Sequence, residues 1–330
     1  MKRITTHGSV QSRAAARIGL ISLVLLILGL TGCTDKKQVQ CETDFAGERV
    51  LVLLKTDNYY WRQVEQGILG ACLTHGLQAD VRFGLANGDA ASQVAAIESI
   101  QDGDYLGVIL APSGFTDPAF MRSFADLCQR IPTVIVDSKM DVSNEYIGFV
   151  GTNNEVAGDA LAKLVFAQEG AGKRIGVVCL TTSQAVVERV EGFTQYMQTQ
   201  DVVLTTMGVS SLAEVPGAVS RLLADGCDAL FLANATSATE AMALTDAQPN
   251  LHCYSFDIND AIKSRITNGS WAGTVLQDTY GMGAQSVHSL INHLQQYKQP
   301  KIQYMNTFYI TKDNMQTPEA RYYINEVNPQ

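Results

Sequence analysis

The sequence predicts an α/β protein folded as two doubly wound lobes, each a mostly parallel sheet covered by helices on both faces. Three observations carry this expectation. Short runs rich in β-branched residues alternate with stretches of helical spacing, the β-α-β-α order of a parallel sheet. The alternation restarts near residue 174, so that one set of about five strands is followed by another. A single sheet of ten or more parallel strands would be unusual, whereas 330 residues, 46% of them hydrophobic, suffice for two cores of ordinary size.

A leader precedes the first strand. Lys2, Arg3, Arg13 and Arg17 come before an uncharged run, 18–30, that ends in Leu30-Thr31-Gly32-Cys33. The run is about thirteen residues, short of the roughly 20 that a helix needs to cross a hydrocarbon core, and the small residues at its end suit a peptidase. The pattern resembles the bacterial lipobox, whose cysteine is acylated. That resemblance implies removal of residues 1–32 as a signal peptide and a lipid anchor on Cys33. An ordinary signal peptide or an uncleaved anchor would equally place the body outside the cytoplasm. Residues 33–44 are polar, with Asp35-Lys36-Lys37-Gln38, and read as a tether.

The chain has 24 basic and 33 acidic side chains, a net charge of −9. Four of the basic and none of the acidic residues lie in the leader, so its removal leaves about −13, a balance that favours solubility and disfavours nucleic acid as a partner. Cys41, Cys72, Cys128, Cys179, Cys227 and Cys253 show no CxxC or Cys/His ligand spacing, which disfavours a metal site. Cys179 and Cys253 lie in apolar runs, where buried free thiols are the default. An extracytoplasmic setting allows one or two disulfides, whose pairing the spacing leaves open. No cofactor is expected.

In the first set the apolar runs fall at 50–54, 78–83, 107–110, 133–136 and 146–150. In the second they fall at 174–180, 202–209, 229–232, 251–256 and 273–276, with helical spacing between them at 185–196, 215–224, 236–244 and 258–267. Ligands of such sheets gather beyond the carboxyl ends of the strands. The polar residues that follow each run are therefore candidate site residues: Thr56, Asp57, Asn58, Tyr59, Tyr60 and Trp61 after the first run, Asp137 after the fourth, then 181–184, Asn234, Asp257 and Gln277. A carboxylate accepts from two hydroxyls, an amide both donates and accepts, and an aromatic face covers the C–H side of a sugar ring. Any one strand-end Asp or Asn more often caps the next helix. Their joint occurrence at edges of both lobes predicts a cleft for a small sugar-like molecule.

Seven segments follow one another over residues 50–298: Asn58-Tyr59-Tyr60-Trp61 with Gly67; Ile131-Pro132-Thr133-Val134-Ile135-Val136-Asp137; Gly151-Thr152-Asn153-Asn154 with Gly158; Glu188-Arg189-Val190-Glu191-Gly192-Phe193; Ala233-Asn234; Ser255-Phe256-Asp257; and Gly273-Thr274-Val275-Leu276-Gln277 with Gly283. In this order and spacing they resemble the periplasmic sugar-binding proteins of the ribose-binding type, the type I periplasmic binding proteins that include ABC transporter substrate-binding lipoproteins. The resemblance implies three hinge strands and discontinuous lobes, 45–152 with 278–300 and 153–277 with 301–330. It implies ligand contacts from Asn58, Tyr60, Trp61, Asp137, Arg189, Asn234, Asp257 and Gln277, with Arg189 and Asp257 clamping neighbouring hydroxyls through a donor fork and an acceptor pair. Ser138 stands where the ribose binders place an arginine, Leu212 near where they add an aromatic, and Tyr59 where proline is common. These departures point away from ribose, toward a different pentose, a hexose or a modified polyol.

Enzymatic readings lack parts. Gly170-Ala171-Gly172-Lys173-Arg174 misses the upstream glycine and the Ser or Thr of a phosphate loop. His75, His252, His288 and His293 show neither metal nor relay spacing, and a Gly-x-Ser-x-Gly elbow is missing. Asp and Glu pairs such as Asp57 with Asp137 could in principle act on a glycosidic bond. The expected protein is thus a monomeric binding protein and not an enzyme. The resemblance implies a membrane ABC permease as its partner; the alternative is a sensory lipoprotein that presents its ligand to a chemoreceptor or histidine kinase. A sugar-responsive repressor on the same lobes is disfavoured by the leader and by the lack of an N-terminal helix-turn-helix.

Overall fold

The computed structural model describes residues 45–85, 90–101, 103–114, 116–140 and 146–324. The leader, the tether and the acylation expected at Cys33 lie outside the described residues. The strands are β1 (Arg49–Leu54), β2 (Gln78–Phe83), β3 (Gly107–Leu110), β4 (Thr133–Val136), β5 (Gly148–Thr152), β6 (Lys173–Leu180), β7 (Val202–Val209), β8 (Ala229–Leu232), β9 (His252–Phe256), β10 (Gly273–Gln277), β11 (Ile302–Met305) and β12 (Thr307–Ile310). They form two six-stranded sheets, ordered β11-β5-β4-β3-β1-β2 and β12-β10-β9-β8-β6-β7. All pairs are parallel except β10 with β12.

Side chains alternate between the faces of a strand, and in these sheets both faces are covered, so the strands read as unbroken apolar runs. On β1, Val50, Val52 and Leu54 pack with the helices Tyr59–Thr74 and Thr279–Leu294, while Leu51 and Leu53 pack with Ala90–Glu98 and Pro118–Arg130. β8 divides likewise, Leu230 and Leu232 to one face and Ala229 and Phe231 to the other. Cys72, Cys179 and Cys253 are buried free thiols in these cores, and burial pushes the Cys253 thiol up to about 12.

The chain passes between the sheets three times. After β5 the helix Asn154–Glu169 packs on Gln184–Met197 beside the second sheet, and after β10 the helix Thr279–Leu294 returns to pack on Tyr59–Thr74 beside the first. Both helix pairs touch through glycines. A Cβ at Gly158 would lie 1.9 Å from Arg189 O and one at Gly192 2.0 Å from Glu155 O; in the other lobe, Gly67 would meet Tyr280 O at 2.0 Å and Gly283 would meet Val64 O at 2.1 Å. Only a missing side chain lets these backbones approach so closely.

The third passage lies later than expected. Residues 302–305, assigned from the sequence to the second lobe, form β11 in the first sheet, paired with β5, and the chain crosses at Asn306 into β12. β11 is a half-exposed edge strand, so its four residues lack the continuous apolar run that marks the inner strands. The helix expected at 258–267 begins instead at Asp260, because Asn259 accepts from Ile262 N and caps it. No helix among the described residues is long and apolar enough to cross a membrane.

Candidate functional site

At the carboxyl ends of the two sheets, between the lobes, lies a cavity of about 370 Å³, within the size range of small-molecule sites. All eight side chains expected to meet a ligand line it: Asn58, Tyr60, Trp61 and Asp137 from the first lobe, Arg189, Asn234 and Asp257 from the second, and Gln277 at the second passage. Ser183, within the candidate stretch 181–184, also lines it, as do Lys55, Thr236 and Asn259, which were not among the candidates. Lys55 directly follows β1, one residue before Thr56, and so meets the same strand-end criterion as Asn58.

Two aspartates anchor the walls. Asp137 follows β4 and Asp257 follows β9, and both have left-handed backbones, φ 72° and 64°. Asp tolerates this region better than most residues, and the sharp turn at the strand end brings its carboxylate to the cleft. Asp137 is well braced: it accepts from Lys55 Nζ at 2.8 Å, Tyr60 Oη at 2.7 Å and Ser138 Oγ at 2.8 Å. Burial alone would push its carboxyl up, but Lys55, with Tyr60 and Ser138, holds it below the usual range. Lys55 Nζ also donates to Ser138 Oγ at 2.6 Å. The serine that replaces an arginine thus sits against a lysine, and the first lobe keeps a cation at its wall.

Asp257 is less satisfied. It accepts from Gln277 Nε2 at 2.7 Å, and burial pushes its carboxyl up against the opposing pull of Arg189 and Gln277, with the Asp137 charge adding to the rise. Arg189 is 3% exposed, so it is a wall of the cavity and not a surface helix charge. Its Nη1 donates to Ala233 O at 2.7 Å and its Nη2 to Asn154 Oδ1 at 2.8 Å, and its guanidinium lies 3.4 Å over the Phe256 ring. Burial pulls its pKa down despite Asp257. The buried Nε has no hydrogen-bond partner among the described residues. An unpaired buried N–H is costly unless something else accepts from it.

Asn58 and Asn234 are both helix caps, accepting from Trp61 N at 3.1 Å and Ser237 N at 2.7 Å. Asn234 therefore has its NH₂ to offer the cavity, whereas Asn58 Nδ2 donates to Thr56 Oγ1. Trp61 is 5% exposed, with Tyr60 edge-on at 5.0 Å and the Lys55 ammonium 5.4 Å from its ring. Leu212 opens a short 3₁₀ helix against the second-lobe core and does not line the cavity. Asp57 is ion-paired with Arg62 and also lies outside the cavity, so the carboxylate pair considered for a glycosidase does not face a shared space. No cluster of three or more metal-ligating side chains occurs among the described residues.

Residues 49–299 match the family model of the periplasmic binding protein domain. The chain belongs to that family. Its fold is that of the type I periplasmic binding proteins of the ribose-binding type, two parallel-dominated lobes joined by three crossings. Among solved structures it is similar to an ABC transporter solute-binding protein from Agrobacterium vitis with bound D-fucose, at 26% identity over 84% of this chain and 99% of that one, TM-score 0.73. It shares the fold of a carbohydrate transporter solute-binding protein from Agrobacterium radiobacter in complex with D-arabinose, at 19% identity over 85% and 99% of the chains, TM-score 0.74. A XylFII–LytSN complex contains the same fold, at 21% identity over 81% and 98%, TM-score 0.70. No curated protein matches the chain. In this periplasmic binding protein the cavity stands where the family's two lobes meet, and side chains from both reach it.

Proposed function

We propose that this chain is an extracytoplasmic solute-binding protein, lipid-anchored at Cys33, that closes its two lobes around a monosaccharide or related polyol and delivers it to a membrane ABC importer. The observation that carries the proposal is the convergence of Lys55, Asp137, Arg189, Asp257 and Gln277, far apart in the chain, on one interlobe cavity. Among the described residues Arg189 Nε there has no acceptor, and Asp257 has capacity left for donors. Such a set grips a neutral polyhydroxyl guest, because each hydroxyl both donates and accepts. A guest that touches both lobes favours the closed state by its differential contacts, and the closed shape is what a partner reads. The similarity to solute-binding proteins solved with D-fucose and D-arabinose supports a sugar as the guest. In this reading the protein is a monomer without a cofactor and performs no chemistry: the Asp137 carboxylate is committed to Lys55, Tyr60 and Ser138.

A ligand that binds only the native state raises its melting temperature. A thermal-shift series over pentoses, hexoses and polyols is expected to single out one or a few stabilising sugars. Stabilisation by amino acids or peptides, with no response to any sugar, overturns the assignment. The likeness to XylFII in its complex with LytSN favours a second reading, in which the loaded protein is presented to a sensor instead of an importer. Binding of the sugar-loaded protein to permease-containing or sensor-containing membranes separates the two.

A further inference from the structure

Thr152 ends β5 at the first passage and Gln277 ends β10 at the second, and both are buried, at 3% and 5% exposure. Thr152 Oγ1 donates to Gln277 Oε1 at 2.6 Å, and Gln277 Nε2 donates to Asp257 Oδ1 at 2.7 Å. On its other side the Thr152 carbonyl accepts from Asn154 Nδ2 at 3.4 Å, and Asn154 Oδ1 accepts from Arg189 Nη2 at 2.8 Å. Each amide has its orientation forced. An ionised carboxylate only accepts, so Gln277 must turn its NH₂ to Asp257 and its oxygen to a donor; a guanidinium only donates, so Asn154 must turn its oxygen to Arg189 and its NH₂ to an acceptor. Thr152 supplies both of the remaining partners, its hydroxyl to one amide and its carbonyl to the other.

We propose that Thr152 is a positioning residue of the cavity: from the first passage it orients Gln277 and Asn154, and through them Asp257 and Arg189. The inference rests on the reading that Asp257 and Arg189 meet the ligand, but its geometry is independent of which ligand that is. It also ties the binding groups to the hinge. A rotation of the backbone at Thr152 as the lobes move shifts both side-chain chains together.

Thr152→Val keeps the branched shape and removes the hydroxyl; Thr152→Ser keeps the hydroxyl. The readout is the titration of the Asp257 carboxyl in the ligand-free protein, followed by carboxyl ¹³C NMR and assigned with Asp257→Asn. Arg189, Asp137 with its Lys55 partner, and Tyr60 are the charged and titratable groups that face Asp257. All of them are unchanged in these variants. Loosening one hydrogen bond to the carboxylate is expected to raise the midpoint in Thr152→Val by on the order of half a pH unit or more, with Thr152→Ser at the parent value. An unchanged midpoint in Thr152→Val overturns the proposal. Should that variant not fold, Thr152→Cys, a weaker donor, is expected to titrate above the parent, and parent behaviour there overturns it equally. Titrating D-fucose and D-arabinose into parent and variants separates the two readings. Failure of both sugars to bind the parent counts against these guests, and the carboxyl titration still decides the role of Thr152.

Discussion

Asp137 and Asp257 occupy matching places in the two lobes. Each follows the fourth strand of its lobe with a positive φ, and each backbone N–H donates to the neighbouring strand, to Val150 O at 2.9 Å and to Val275 O at 2.8 Å. Their surroundings differ. Among the described residues, Lys55, Tyr60 and Ser138 all donate to Asp137, whereas Asp257 accepts a side-chain bond from Gln277. One aspartate thus braces the wall, and the other keeps acceptor capacity on the cavity.

That asymmetry sets a pH dependence. Burial holds the Asp257 carboxyl above the usual range, and Lys55 holds Asp137 below it. Ionised, the carboxylate accepts from hydroxyls strongly at both oxygens; protonated, it loses part of that acceptor capacity and the charge that strengthens it. Affinity should fall as pH drops through the raised Asp257 value, and binding in that window should release a proton, while Asp137 stays ionised and adds no slope. Calorimetry in two buffers of different ionisation heat measures the proton. Asp257→Asn is expected to abolish the slope.

Arg189→Ala removes a charged donor beside the guest and should weaken binding roughly tenfold to a hundredfold, as loss of charge-assisted hydrogen bonds implies. Ala233 O and Asn154 Oδ1 lose their donor as well, so the melting temperature should drop. Unchanged affinity by titration calorimetry would take Arg189 out of the site.

Lys55→Met leaves Asp137 without its cation. Side-chain exposures of 21% and 12% make this a partly screened pair, so the expected loss is about 1–3 kcal/mol at neutral pH, less than for a fully buried pair. The native Asp137 value is depressed, so the stability it contributes is present above the unfolded value and is lost as pH falls through the native one. The destabilisation by Lys55→Met should shrink over the same window. Urea unfolding near neutral and acid pH checks both statements.

Gly158→Ala and Gly283→Ala each drive a Cβ into the facing helix, at an expected cost of about 1–3 kcal/mol. They should differ in function. The obstructing carbonyl at Gly158 belongs to Arg189, so Gly158→Ala is expected to weaken ligand binding more than Gly283→Ala at matched stability loss, measured by calorimetry.

Much of this was legible in the sequence for identifiable reasons. β1 and β8 are covered on both faces and so appear as unbroken apolar runs. The close helix contacts at Gly67, Gly158, Gly192 and Gly283 left their glycines as markers. Asn58 and Asn234 were doubly readable, because a strand-end amide that caps a helix also stands at the mouth of the cleft. β11 and β12 were not, since each is a half-exposed edge strand of only four residues, too short to show a period. The pairing of Lys55 with Asp137 joins residues 82 apart in sequence, and no local pattern encodes it.

The central claim is that side chains of both lobes hold one polar guest. A crystal structure with the most stabilising sugar tests it most directly. Its hydroxyls are expected within hydrogen-bond distance of Arg189 and Asp257 on one side and of Lys55 or Asp137 on the other; a sugar held by a single lobe, or bound outside this cavity, contradicts it.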